Sequence, residues 1–170
     1  MNKLIIILVI LILVVYIKYY LSPNPIFQIL QTSISKARPK LLFEKSPIVI
    51  EEPLVNASDL LSILFKYLYI LKKNVLTTPQ NVIQQNKCKY LVLSPKDKDG
   101  AVVQIVHPKH SRIMKHTNYA KSKTSIAFVD IQLKQHQCMI LPIHWWYKTN
   151  SSFVERIQLD DIVSVFLGKL

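Results

Sequence analysis

Fourteen consecutive apolar residues, 4–17, bracketed by Lys3 and Lys18, constrain this chain more than anything else in its 170 residues. A helix built from them is apolar on every side, so it cannot lie half-covered on a globular core as an amphipathic helix does. With Tyr19, Tyr20 and Leu21 added, and with lysine stems reaching towards the headgroups, the stretch is long enough to span the hydrocarbon of a bilayer. A tyrosine cluster at one end suits the membrane interface. Lys18-Tyr19-Tyr20 is bulky, and no small-residue cleavage site follows the run. Residues 1–21 are therefore expected to be an uncleaved transmembrane anchor rather than a signal peptide. Lys18, Lys36, Arg38, Lys40 and Lys45 place the following domain on the cytosolic side by the positive-inside rule. Two glycosylation triplets, Asn56-Ala57-Ser58 and Asn150-Ser151-Ser152, pull the other way, because they are acceptors only on the lumenal side.

Ser22-Pro23-Asn24-Pro25 stops the helix. Residues 22–40 read as a basic, proline-containing linker with a short helix over 26–34, and residues 41–170 as one domain. A short β-branched strand is expected at 47–50. The clearest helix follows: Asn56 or Ser58 caps it, Leu60, Leu61, Leu64, Phe65, Leu68 and Leu71 form its apolar stripe, and Lys72 and Lys73 close it. A polar loop runs through Thr77, Thr78 and Pro79. Residues 89–95 and 101–106 read as a hairpin-like pair around Lys96-Asp97-Lys98-Asp99-Gly100. Residues 107–123 read as irregular, 125–133 as an alternating strand, and 154–157 as a last strand. Asp160-Asp161 starts a short terminal helix, its charge suited to a helix N-terminus. Gly100 and Gly168 are the only glycines, so other loops needing positive φ must use Asn, Asp or lysine-rich turns.

The net charge of +12 attracts anions. The lysines are scattered, with no arginine-rich block and no aromatic series for base stacking, so nucleic acid is not the expected partner. The expected partners are a membrane, through residues 4–21, and an acidic protein or anionic lipid surface. Cys88 and Cys138 both fall on expected strands and could pair, which two thiols alone do not decide. Zinc spacings, Gly-x-Ser-x-Gly, phosphate-binding glycine loops and His-Glu-x-x-His are absent. Cys138 beside His136 or His144 could act as a nucleophile, although a buried strand thiol explains it better. His107, His110, His116 and His144 match no standard metal spacing.

The stretch Cys138-Met139-Ile140-Leu141-Pro142-Ile143-His144-Trp145-Trp146-Tyr147 holds both tryptophans. Together with Phe128-Val129-Asp130-Ile131-Gln132-Leu133 it resembles the carboxy-terminal hairpin of cupin-type JmjC-like hydroxylases. In that family a strand, a Gly-Asp turn and an apolar strand lead to Pro-x-x-Trp-Trp-His. Pro47-Ile48-Val49-Ile50 is similar to the family's opening strand, and Lys89-Tyr90-Leu91-Val92-Leu93-Ser94-Pro95 to its Lys-x-x-x-Leu-x-x-Pro strand. The resemblance covers residues 41–170. It implies a mainly β (α+β) domain, a small cupin-like double-stranded β-helix or jelly-roll-like barrel with flanking helices.

The family's chemistry does not carry over. Its oxygenases hold Fe(II) with two histidines and a carboxylate. Here no histidine precedes His107, Gln135-His136-Gln137 replaces the glycine turn, and Tyr147 stands where the distal ligand histidine would be. No catalytic, metal or cofactor residue is therefore expected. Pro142, His144, Trp145, Trp146 and Tyr147 mark the fold, with Trp145 and Trp146 expected to supply core packing, one of them largely buried, and His144 expected to face solvent or a loop carbonyl. Degenerate domains of this kind look like proteins of large double-stranded DNA viruses. The expectation is a non-enzymatic, membrane-anchored interaction or structural protein. The alternatives are a diverged Fe(II)/2-oxoglutarate oxygenase and a membrane-tethered nucleic-acid binder.

Overall fold

The computed structural model describes residues 3–52, 72–77, 80–116 and 128–167, together with 60, 62, 64, 65 and 126. The chain is mainly β. Helix α1 (Lys3–Leu21) is followed by β1 (Leu30–Thr32), β2 (Ile48–Ile50), β3 (Lys72–Thr77), β4 (Gln84–Gln85), β5 (Tyr90–Pro95) and β6 (Ala101–Val106). Then come α2 (Ser111–His116), β7 (Val129–Leu133), β8 (Cys138–Pro142), β9 (Trp146–Thr149), β10 (Val154–Asp160) and α3 (Ile162–Leu167). One sheet has the order β1-β2-β8-β5-β10-β3 and the other β4-β9-β6-β7. β1 and β2 are parallel and every other described pair is antiparallel.

Alternation along the strands separates two cores, because successive side chains leave a strand on opposite faces. Tyr90, Val92, Ile140, Ile157 and Leu159 point to the outer face of the six-stranded sheet, where Leu42, Leu60, Leu64 and Phe65 cover them. Leu91, Leu93, Met139, Leu141 and Val154 point inwards and meet Ala101, Val103, Ile105, Leu133 and Tyr147 of the smaller sheet. Each such aliphatic side chain contributes about 1.5–3 kcal/mol by leaving water. β5 and β8 are buried along their whole length because both of their faces are covered.

Several expectations are corrected. Within residues 26–34 there is no helix and Leu30–Thr32 form strand β1; segment 22–40 is packed on the sheet, with Leu30 and Ile34 against the outer core and Ala37 within it. Lys72 and Lys73 open strand β3, which pairs with β10, instead of closing a helix. Leu60, Ser62 and Leu64 are helical as expected, whereas Leu61, Leu68, Leu71 and the caps Asn56 and Ser58 lie outside the described residues. β5 and β6 are not a hairpin: β5 pairs with β8 and β10, β6 with β7 and β9. The short turns after β4, β5, β7, β8 and β9 each carry the chain from one sheet to the other. Residues 108–116 are helical, a 3-10 turn running into α2. The last strand runs on to Asp160. Among the described residues positive φ falls at Lys45, Asn81, His136, His144 and Gly100. At Gly100 a Cβ would lie 2.1 Å from the Leu133 carbonyl oxygen, so that turn admits only glycine.

Candidate functional site

The aromatic stretch closes the sandwich at one end. Trp145 is 1% exposed and joins the inner core; its indole N–H donates to the Lys45 carbonyl at 3.3 Å. Trp145 is thus the one tryptophan expected to be largely buried, and Trp146 is the less buried of the two. It sits on the outward register of β9, is half-buried, and donates to Ser111 Oγ of α2 at 3.0 Å. Asn86 sets the turn between β8 and β9. Its Nδ2 donates to the Leu141 and Pro142 carbonyls, both at 2.9 Å, and its backbone N–H donates to the Trp145 carbonyl at 2.8 Å. His144, at φ 73, donates its backbone N–H to the Asn86 carbonyl.

His107 seals this end against the segment that follows α1. It is 3% exposed and stacks edge-on to Trp145 at 5.1 Å, with Phe27 5.8 Å from it and 5.7 Å from Trp145. Its Nδ1 accepts the Lys109 backbone N–H at 3.1 Å, so Nε2 carries the proton and donates to the Asn24 carbonyl at 2.9 Å. Burial, with the charges of Lys109 and His110, holds its pKa below the ordinary value against the bond to Asn24. Both ring nitrogens are engaged, which leaves no lone pair for a metal.

The position singled out by the resemblance is Tyr147. It lies inside the sandwich on β9, opposite Gln84 in register. Its hydroxyl donates to Gln84 Oε1 at 3.0 Å. Arg156 Nη1 donates to the same Oε1 at 2.6 Å and to the Tyr147 hydroxyl at 2.8 Å. Burial raises the Tyr147 pKa, and the Arg156 charge and hydrogen bond oppose that rise. The Fe(II) that the resemblance implies does not fit this donor set. A guanidinium within hydrogen-bond distance of both oxygens repels a dication, and neither oxygen belongs to a carboxylate or imidazole. Among the described residues, no group of three or more His, Cys, Asp or Glu side chains is placed to hold a metal.

Sequence reasoning missed Gln84, Asn86 and Arg156. Arg156 shares the inner face of β10 with Val154, because Ile157 and Leu159 face the outer core.

The two thiols are free and sit on opposite faces of the six-stranded sheet, Cys138 in the outer core and Cys88 in the inner. They cannot pair. Burial and the Asp160 charge push Cys88 up to about 12, and burial also raises Cys138, so neither is an activated nucleophile.

At the same end as Trp145, α1 meets the sandwich. Asp161 caps α3 reciprocally: it takes the Ser164 N–H at Oδ1, and Ser164 Oγ takes the Asp161 N–H, both at 2.9 Å. Its other oxygen accepts Lys89 Nζ and, at 3.0 Å, the Tyr16 hydroxyl of α1. Burial pushes the Asp161 carboxyl up; bonds from Lys89, Ser164 and Tyr16 and the Lys89 charge outweigh it, and the net pKa is lowered. From Leu4 to Val15 every side chain of α1 is at least 40% exposed among the described residues. The apolar run 4–17 covers about 21 Å of helix at 1.5 Å per residue. Among the described residues no helix is long and apolar enough to cross a membrane.

No protein-family model matches this sequence, and no curated protein matches it.

Proposed function

We propose that this chain is a membrane-tethered, non-enzymatic jelly-roll module. The observation that carries the proposal is α1, an exposed helix with no polar face whose last turns are fixed to a folded domain. Water does not tolerate such a surface bare; hydrocarbon covers it at no cost. The apolar run of α1 is about 21 Å long, short of the roughly 30 Å of a hydrocarbon core, so the helix is proposed to seat in the bilayer as a tether. The jelly-roll reading is supported by strand order. Numbering β3–β10 as strands one to eight gives 1-8-3-6 in one sheet and 2-7-4-5 in the other, two interlocked Greek keys with β2 and β1 added at an edge. Its test is flotation. Full chain mixed with phosphatidylcholine vesicles is expected to rise with them through a density gradient at both low and roughly 1 M salt, where surface charge is screened. A chain that stays at the bottom overturns the tether.

The non-enzymatic half is supported by the hydrogen bonds that Arg156 Nη1 and the Tyr147 hydroxyl make to Gln84 Oε1 and to each other, where the resembling family keeps open iron positions. Titration of the detergent-solubilised full chain with Fe(II) and 2-oxoglutarate is expected to show neither stoichiometric binding nor succinate release. Turnover would establish the oxygenase reading instead.

A further inference from the structure

Among the described residues the two ends of the sandwich differ in charge, and α1 leaves from one of them. Register defines that end: Tyr90 lies opposite both Pro142 and Leu159, and Lys72 opposite Asp160. The starts of β2, β3 and β5 and the ends of β8 and β10 therefore lie together. Tyr16 is bound to Asp161 there, Lys45 Nζ donates to the Ser22 carbonyl, and Asn24 Nδ2 donates to the Glu44 carbonyl and to Ser46 Oγ. This end carries Lys18, Lys45, Lys72, Lys87 and Lys89 against Glu44, Asp160 and Asp161. Both aspartates are already engaged: Asp161 by Lys89 Nζ, and Asp160 by the Lys89 backbone N–H at 3.2 Å. Ile26, 62% exposed, and Phe43, 56% exposed, add apolar side chains to the same rim.

The far end is reversed. Turns 96–100 and 134–137, the chain after β2 and the chain before β10 meet there through bonds from His136 to Pro95, Lys96 to Phe153 and Gln137 to Glu51. That end holds Glu51, Glu52, Asp97, Asp99 and Glu155 against Lys96, Lys98 and Lys134, with Lys96 paired to Glu155 at 3.0 Å.

We infer that the end where β2, β3 and β5 begin is a lipid-facing surface that stands on anionic headgroups, with the exposed Lys18 and Lys87 among the phosphates and Ile26 and Phe43 at the acyl boundary. This inference rests on α1 being seated in the bilayer and goes further: it fixes which way the domain stands. Tyr16, Lys89 and Asp161 clamp α1 to the domain, so the domain does not swing freely on a leash. A lysine near an anionic surface gains about 1 kcal/mol, and exposed apolar groups between lysines gain by entering the interface. The acidic far end is repelled by the same surface and points into the aqueous phase.

The test is depth-dependent quenching in the full chain, assembled into phosphatidylcholine nanodiscs with or without phosphatidylserine. A fluorophore is placed at Lys87→Cys or at Lys98→Cys, the native thiols being buried. Ile26→Cys and Asp99→Cys form a second pair in case either first variant misfolds. Headgroup-attached nitroxide is expected to quench the 87 and 26 labels several-fold more than the 98 and 99 labels. Phosphatidylserine widens the gap and salt narrows it. Equal quenching of the two ends, or stronger quenching at 98 and 99, in a chain that co-purifies with nanodiscs overturns the inference and leaves the anchor standing. A chain that does not enter nanodiscs at all overturns the anchor and the inference with it.

Discussion

Helix α1 and the strands of the sandwich are both rich in leucine, isoleucine and valine, yet they dispose of that surface in opposite ways. In β5 the apolar side chains alternate between two covered faces, Tyr90 and Val92 outwards, Leu91 and Leu93 inwards, and each is at most 6% exposed. In α1 the same residue types point all round, and Leu4 is 76% exposed. The sandwich is its own solvent; α1 needs one from outside. The difference teaches that apolar content alone says little about where a segment sits. The period of the pattern and the presence of a partner surface decide it.

Substitutions that strike one region and spare the other test this contrast. The largest effect is expected from Trp145→Ala. It empties a fully buried site between His107, Phe27 and the inner core, so about 3–5 kcal/mol of domain stability is lost. Thermal melting of the solubilised chain should show it, while membrane association persists. A Trp145→Ala chain that melts like the parent would mean that the inner core is not closed by this residue.

Ile10→Arg is the mirror experiment. An arginine near the middle of α1 raises the cost of insertion by about 3 kcal/mol, so most of the chain moves from membrane to soluble fractions. The melting temperature of the domain should not change, because Ile10 is 55% exposed and belongs to neither core cluster of the described residues. A drop in domain stability without loss from membranes would place α1 among the core elements.

The smallest effect lies at the seam, where His107 holds the Asn24 carbonyl. Its folded-state pKa is depressed below the ordinary 6.5, chiefly by burial. The unfolded chain therefore takes up the proton first as pH falls. Stability is fully present above pH 6.5 and is lost from there down to the folded-state pKa, at up to about 1.4 kcal/mol per pH unit. Melting curves between pH 8 and pH 5 measure this slope, and His107→Gln should flatten it. An unchanged slope in that variant would assign the acid sensitivity elsewhere.

The sequence made the β class and most strands legible because alternation and β-branched residues are local signals. Val49 with Ile50, the 90–95 run and the 138–142 run each show them. Three strands escaped, among them the two-residue β4, Gln84-Gln85, which is too short to show any pattern. Leu30-Gln31-Thr32 is too short to show a period, and it becomes a strand only because β2 lies beside it. Lys72-Lys73-Asn74 reads as a helix terminus, and it is a strand because β10 pairs with it over six residues. The sheet-switching turns were read as hairpins for the same reason: pairing partners are non-local, and the turn residues are alike in both cases. At the candidate site, Tyr147 was found through the resemblance, whereas Gln84 and Arg156 were not. A polar residue inside a sandwich is recognisable only once its face is known, and the outer core of Ile157 and Leu159 defines that face only in three dimensions.

The most direct test of the central claim is alkaline carbonate extraction of membranes from cells producing the full chain. If α1 is covered by hydrocarbon, the chain stays in the pellet, since carbonate strips proteins held by charge or by other proteins. If the chain appears in the supernatant, α1 is covered by a protein partner or by a second copy of itself, and the tether reading is wrong.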